Sequence, residues 1–274
     1  MQDRIRLTVH HDGVADVRLA RPEKMNALDE AMFDALVAAG QQLLATPVLR
    51  AVVLSGEGRA FCAGLDLGRI EKMGTPPDPE TQARFNAQRY GPRTHGLCNR
   101  PQYAAMVWQA LPVPVIAAVH GVAFGGGLQV ALGADIRLVT ADVRLSVLEI
   151  KWGLVPDMGG MVRLRQLLRG DVAAELCYSG RIVGGEEAAR IGLATRVCDD
   201  PYAEALAMAQ AIARRNPHAI RADKRLLQLA THASDAALLQ AESDEQALLM
   251  GSANQVEAVA AEMGKRAPRF IDPV

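Results

Sequence analysis

The sequence predicts an α/β protein whose helices pack on a largely parallel sheet, and three observations carry that expectation. Short β-branched runs alternate with helical patterns: "RAVVLSGEG" (50–58), "PVPVIAAVHG" (112–121) and "IRLVTAD" (136–142) read as strands, "ALDEAMFDALVAAGQQLLA" (27–45) and "GGGLQVALGAD" (125–135) as helices. Two of those strands run straight into glycine-rich turns. Half of the 274 residues are apolar, enough to bury a substantial core.

Each element has its own signal. "IRLTVHHDGVADVRLARP" (5–22) alternates with period two on both sides of "HDG", a hairpin signature. In 27–45, Leu28, Met32, Leu36, Ala39 and Leu43 fall at helical spacing, with Asp29 and Glu30 in the first turn where a helix dipole favours them. Residues 69–104 hold five of the fourteen prolines and many polar residues, and read as a mobile or lid-like insertion. After "SGRIVGGEEAARIGLATRV" (179–197) the pattern is helical to the end. The chain therefore divides into an α/β core, 1–200, and a C-terminal helical region, 201–274, suited to oligomerisation or to capping the chain's own sheet.

Charge and composition exclude several classes of partner. A formal net charge of −1 and only five lysines, Lys24, Lys72, Lys151, Lys224 and Lys265, leave no field to attract nucleic acid or an anionic membrane. The nearly uncharged stretch 112–134 approaches the length of a membrane span, but it carries His120, Gln129 and a cluster of glycines, and reads better as a buried strand followed by a buried helix. Four dispersed cysteines, Cys62, Cys98, Cys177 and Cys198, and an N-terminus without an apolar leader suggest reduced thiols in a cytoplasmic protein. No metal site is expected.

Three stretches carry candidate chemistry. "AVVLSGEGRAFCAGLDL" (51–67) and "PVIAAVHGVAFGGGLQV" (114–130) share one context, a strand leading into glycines. If the two strands are neighbours, the backbone N–H groups of Leu65 and Gly126 converge on one oxygen, and the helix starting near Gly126 adds its positive end. Tight turns and close helix packing are the alternative use of such glycines. Neither loop matches a dinucleotide or nucleoside-triphosphate fingerprint. In "LSVLEIKWGLVPDMGGMVRLRQLL" (145–168), Glu149 sits among apolar residues and Asp157 in a Pro-Asp-Met-Gly-Gly turn. Burial raises a carboxyl pKa, which makes both acid/base candidates, although either can also be a cap or an ion-pair partner. His120 reads as a structural strand-end residue, Cys62 as a small buried thiol, and His95 receives no role.

Together, "RPEKMNALD" (21–29), "FCAGLDL" (61–67), "PVIAAVHGVAFGGGLQVALGADIRL" (114–138), "EIKWGLVPDMGGMVRL" (149–164) and "SGRIVGGEEAARIGLATRV" (179–197) resemble the enoyl-CoA hydratase/isomerase (crotonase) family, in order over about residues 5–265. The resemblance implies a ββα-repeat core with a C-terminal helical arm, trimers often paired into hexamers, and coenzyme A thioesters as substrates. Coenzyme A then arrives as part of the substrate, with no separate cofactor. By position, Leu65 and Gly126 match the oxyanion-hole donors. Lys24, Met25 and Ala27, together with Ala63, Gly64, Asp66 and Leu67, match segments that wrap the CoA moiety, and Gly125 and Gln129 border the acyl group.

Hydratases of the family carry two glutamates that hold the added water; one matches Glu149, and the other falls on position 129, where this chain has glutamine. A base on water is thereby missing, which typically contributes about 10²- to 10⁴-fold. Asp157 resembles instead the dienoyl-CoA isomerase branch, in which Glu149 would take a proton from C2 and Asp157 deliver one near C6. That branch has aspartate at 129, so the match is partial. The expectation is an isomerase, with hydration through Glu149 alone and an inert acyl-CoA-binding homologue as alternatives.

Overall fold

The computed structural model describes residues 4–75 and 77–273. Along the chain, β1 (Ile5–Val9) and β2 (Val14–Leu19) lead into α1 (Glu30–Leu44) and β3 (Ala51–Gly56); α2 (Leu67–Met73), α3 (Pro79–Tyr90) and α4 (Arg100–Ala110) follow. Next come β4 (Val115–Val119), β5 (Val122–Phe124), α5 (Gly126–Leu132), β6 (Ile136–Val139) and β7 (Arg144–Ser146). Then α6 (Gly160–Leu167), α7 (Gly170–Ser179), α8 (Gly185–Ile191) and β8 (Arg196–Val197) precede α9 (Pro201–Ala213), α10 (Pro217–Leu229), α11 (Asp235–Leu249) and α12 (Ala253–Met263).

The main sheet has the order β1-β2-β3-β4-β6-β8, antiparallel only in the β1–β2 hairpin, and β5 pairs with β7 in a small parallel sheet beside it. The expected α/β class, with a crotonase-like core, is the class observed. Period-two alternation assigns the two sheet faces to two cores. Ala15, Val17, Leu19, Val52, Leu54, Val115, Ala117 and Val119 meet Leu36, Ala39, Trp108 and Leu128 on one side. Val14, Ala51, Val53, Ile116, Ala118 and Leu138 meet Ala205, Ala209 and Ala213 of α9 on the other. Alanines four apart on α9 share one helix face, so this helix lies close against the sheet. The 201–274 region is thus not uniform in packing: α9 closes the core, while α11 has no buried residue.

Residues 69–104, read from the sequence as a mobile or lid-like insertion, are helical over most of their length. Pro79 and Pro101 occupy first-turn positions of α3 and α4, where a missing N–H costs nothing, behind the capping side chains Asp78 and Asn99. The abundant polar residues reflect α3's exposure, since α3 has no buried residue. The insertion is also tied down: Glu30 of α1 takes Arg69 at 2.5 Å, Arg89 at 3.1 Å and Arg100 at 2.6 Å. Among the described residues, no helix is long and apolar enough to cross a membrane.

Glycine at 127 sets how closely α5 approaches the preceding motif. A Cβ there would lie 2.3 Å from the Cys62 carbonyl oxygen and 2.8 Å from the Cys62 Cβ. Gly127→Ala is therefore expected to push residues 62–65 away from α5 and cost about 1–3 kcal/mol, read as a lowered denaturant midpoint. An unchanged midpoint would show that α5 is not held at this spacing.

Candidate active site

The two glycine turns meet side by side. Phe61 N donates to His120 O at 3.0 Å, Cys62 N to Val122 O at 3.1 Å, and Phe124 N to Cys62 O at 3.1 Å, so residues 61–62 run as an extra strand along β5. The chain then turns at Gly64 (φ 86°) and, on the other side, at Gly125 (φ 50°), conformations that favour glycine. A Cβ at Gly64 would stand 2.4 Å from the Phe124 carbonyl oxygen and 3.8 Å from the Gly126 nitrogen, which shows how near the turns lie. On its other flank this turn pairs with the "KMNAL" segment, through Leu28 N to Gly64 O at 2.7 Å and Asp66 N to Leu28 O at 3.1 Å. Among the described residues, neither Leu65 N nor Gly126 N has an acceptor. Two unengaged N–H groups on adjoining turns, one of them opening α5, provide what an oxyanion requires.

Gln129, on α5, is buried and uses both ends of its amide. Its Oε1 accepts from Met158 N at 2.8 Å and Gly160 N at 2.9 Å, and its Nε2 donates to Glu149 Oε1 at 2.6 Å. The amide orientation follows from its partners, because only the oxygen can accept from two N–H groups. Glu149 begins a short 3-10 turn, Glu149–Trp152, and is 8% exposed. Its carboxyl lies against Gly125, where a Cβ would be 3.3 Å from Oε1 and 3.7 Å from Oε2. Oε2 is buried without a hydrogen-bond partner, as suits an oxygen kept for a substrate. Burial, aided by the Asp157 charge, raises the Glu149 pKa against the opposing Gln129 hydrogen bond.

Asp157 is accessible to water, yet protein atoms crowd its carboxyl and desolvation raises its pKa as well, with the Arg89 and Arg69 guanidiniums pulling the other way. The structure thus brings together Leu65, Gly126, Gln129, Glu149 and Asp157, from three separate stretches of sequence.

The remaining predicted site residues differ in exposure. Lys24 is exposed, Met25 and Ala63 are half-buried, Ala27 is buried and Leu67 is exposed. Asp66 has a structural duty, capping α2 through Gly68 N and taking Arg21 Nη1 at 2.7 Å. Burial pushes its pKa up, but the Arg21 and Gly68 hydrogen bonds outweigh that and hold it low.

Two supporting residues were not singled out from sequence. Asn26, fully buried at φ 55°, donates through Nδ2 to Ala60 O at 2.8 Å, to Glu57 O at 3.0 Å and to Phe61 O at 3.1 Å, and accepts from Arg21 N at 2.8 Å. Arg21 reaches both Asp66 and, at 3.1 Å, the Ala27 carbonyl. An asparagine's tolerance of left-handed backbone was the available signal for Asn26; nothing local marked Arg21.

Cys62 is a structural thiol: its Sγ donates to Asn26 O at 3.0 Å, and burial pushes it up to about 12. His120 Nε2 donates to Gly58 O at 2.9 Å. His95 stacks on Tyr103 with ring centroids 4.3 Å apart. Among the described residues, no cluster of His, Cys, Asp or Glu is arranged to hold a metal.

Comparison with known proteins agrees with the fold. The Enoyl-CoA hydratase/isomerase family model matches residues 10–273. The mitochondrial Delta(3,5)-Delta(2,4)-dienoyl-CoA isomerase of Mus musculus is 31% identical over 272 residues, covering 97% of this chain and 81% of that protein. The mouse mitochondrial enoyl-CoA hydratase domain-containing protein 2 is also 31% identical over 272 residues, covering 97% and 86%. A crystal structure of enoyl-CoA hydratase from Mycobacterium smegmatis superposes with a TM-score of 0.81 at 31% identity, over 97% of this chain and 98% of that one. With the family pattern matched over nearly the whole chain and the same fold in its solved relatives, this protein belongs to the enoyl-CoA hydratase/isomerase family.

Proposed function

We propose that this chain is a CoA-thioester isomerase that shifts double bonds through an enolate, with Glu149 and Asp157 as its acid/base pair. The observation that carries the reading is the engagement of Gln129 at both ends. Its amide has no proton affinity with which to activate water, and its oxygen is already spent on the Met158 and Gly160 N–H groups. A second water-activating base at that position is therefore absent. The same contacts hold the turn that carries Asp157 beside Glu149.

In this reading Glu149 takes the C2 proton with its unengaged Oε2. The electron pair of the broken C2–H bond moves onto the adjacent thioester oxygen, which Leu65 N–H and Gly126 N–H stabilise, and returns through the diene as the distal carbon is protonated. Asp157 then gives a proton to the distal carbon, near C6. Desolvation raises the pKa of both carboxyls, opposed at Glu149 by the Gln129 N–H and at Asp157 by the Arg89 and Arg69 charges, so the two acids answer to different neighbours. Lys24, Met25, Ala27, Ala63, Gly64 and Leu67 would border the CoA moiety and Gly125 the acyl group. No metal or separate cofactor enters the reaction. Exposed Leu239, Leu248, Val256, Val259 and Met263 on α11 and α12 support assembly into a trimer or hexamer through this region.

The decisive experiment measures isomerisation of 3,5-octadienoyl-CoA and hydration of crotonyl-CoA in parallel. Wild type is expected to isomerise faster than it hydrates, and Asp157→Asn to abolish isomerisation while C2 proton exchange in heavy water persists. Gln129→Glu would set a second carboxyl against Glu149 Oε1, so the pair would share a proton and any gain in hydration would emerge toward higher pH. Efficient hydration by wild type with no effect of Asp157→Asn would overturn the isomerase reading in favour of a hydratase. Absence of C2 exchange would show an inert binding homologue.

Gly126→Pro tests the oxyanion hole. Proline is tolerated at the first position of a helix and lacks the N–H, so turnover should fall about 10²- to 10³-fold in a folded variant. Wild-type turnover there would remove Gly126 from the site.

Glu149→Gln should separate activity from stability. Because the native pKa is raised, folding holds the proton more tightly than the unfolded chain does, and stability falls as pH rises from the ordinary carboxylate range through the native pKa. The neutral variant escapes that loss. Its melting temperature should exceed wild type by a few degrees at pH 8, and the difference should vanish at low pH, where both side chains are neutral. Turnover should drop about 10²- to 10⁴-fold. A variant less stable than wild type at pH 8 would contradict the buried-charge account.

A further inference from the structure

Helices α5 and α6 are joined at two places. The first is the Gln129 amide, whose Oε1 takes Met158 N and Gly160 N. The second lies one turn further along both helices, where Arg163 Nε donates to Leu132 O at 2.7 Å and Nη2 to Ala134 O at 3.4 Å. Leu132 is the last residue of α5, so its carbonyl has no donor within the helix. Ala134 O also accepts from Arg137 Nη1 at 2.7 Å, which ties this end of α5 to β6 of the main sheet.

Arg163 is 7% exposed, and its partners are these carbonyls and, at 2.5 Å, Gln166 Oε1 rather than a carboxylate. Burial lowers its pKa against the pull of Asp135, which is itself paired with Lys224 at 2.5 Å. A buried guanidinium is costly to desolvate. Closing the end of a short helix takes a single donor, whereas a planar fork of N–H groups also fixes a direction. Direction matters here. A joint at Gln129 alone leaves α6 free to pivot about that amide, and Asp157, just ahead of α6, would swing with it. A second joint about 4.5 Å further along the axis removes the pivot.

We propose that Arg163 is a positioning residue: by fixing α6 to the C-terminal end of α5, it keeps the turn that carries Asp157 in a set place relative to Glu149 and the Gly126 N–H. This inference rests on the roles proposed for Glu149 and Asp157. Arg163 acts through the two helices and not on the substrate.

The test supplies 3,5-octadienoyl-CoA in heavy water and measures how the dienolate partitions. Return by Glu149 gives substrate with deuterium at C2, and delivery by Asp157 gives 2,4-octadienoyl-CoA. A loss of folded protein or of affinity lowers both yields and leaves their ratio standing. Arg163→Gln should shift the ratio about 10- to 100-fold toward deuterated substrate, because a displaced acid delivers its proton more slowly. If Arg163→Gln does not fold, Arg163→Lys, which keeps the charge but replaces the fork with one donor group, is read in its place and should shift the same way. Amide hydrogen exchange without substrate gives a second reading: exchange at Met158 and Gly160 should quicken about 10-fold or more in the variant while that of Val115–Val119 holds. An unchanged partition ratio overturns the proposal. Exchange at Met158 and Gly160 that stays the same, or that quickens equally in β4, also overturns it, since Arg163 would then only cap α5. Wild type that forms no 2,4-dienoyl product removes the isomerase reading, and the exchange at Met158 and Gly160 then decides the positioning role by itself.

Discussion

The Gln129 amide is the interaction on which the rest of the site depends. It lies on α5, one turn after the Gly126 N–H, and bonds outward to Glu149 and to the turn that carries Asp157. Three segments distant in sequence are thereby fixed relative to one another by a single planar group. A buried amide can do this because it offers acceptor and donor at once and carries no charge to desolvate. A carboxylate at the same place would satisfy the two backbone N–H groups but would face Glu149 with an oxygen, and a proton would have to be shared between them. The same amide therefore ties Glu149 to the turn that carries Asp157.

That arrangement is possible only because backbone approaches backbone closely. Gly160 leaves room for Gln129, where a Cβ would be 2.7 Å from Oε1, and Gly127 leaves room for Cys62. Asn26 completes the frame from the opposite side, binding three carbonyls of the 57–61 stretch so that the following residues, through Leu65, start from a fixed position. Small residues and one buried side-chain amide thus fix the spacing of the two turns that carry the unengaged Leu65 and Gly126 N–H groups.

Around this rigid centre the charges are layered. Glu149 is buried with one amide partner, whereas Asp157 lies within the field of Arg69 and Arg89, which Glu30 gathers from α2 and α3. Two carboxyls in unlike surroundings can hold different protonation states at one pH, which is what a proton transfer between separated carbons requires. Glu30 also explains why a proline-rich, polar stretch forms an ordered helical layer, since its contacts lie in the tertiary structure and no local pattern announces them.

Much of this was legible in the sequence because it is local. Period-two strands, helix caps, the two glycine turns and an acid set among apolar residues each state their own conformation or burial, and five ordered motifs resemble one family. Leu65, Gly126, Glu149 and Asp157 could be named on that basis, and the sheet's parallel character followed from the alternation of strands and helices. What only the tertiary structure decided depends on groups far apart in the chain. The partners of Gln129, the role of Asn26, the commitment of Asp66 to Arg21 and the convergence of three arginines on Glu30 involve separations of roughly 20 to 70 residues. Hydrogen bonds and ion pairs act over a few ångströms. Until folding closes those distances, a residue's type states only what it is able to bind, and the fold selects which partner it meets.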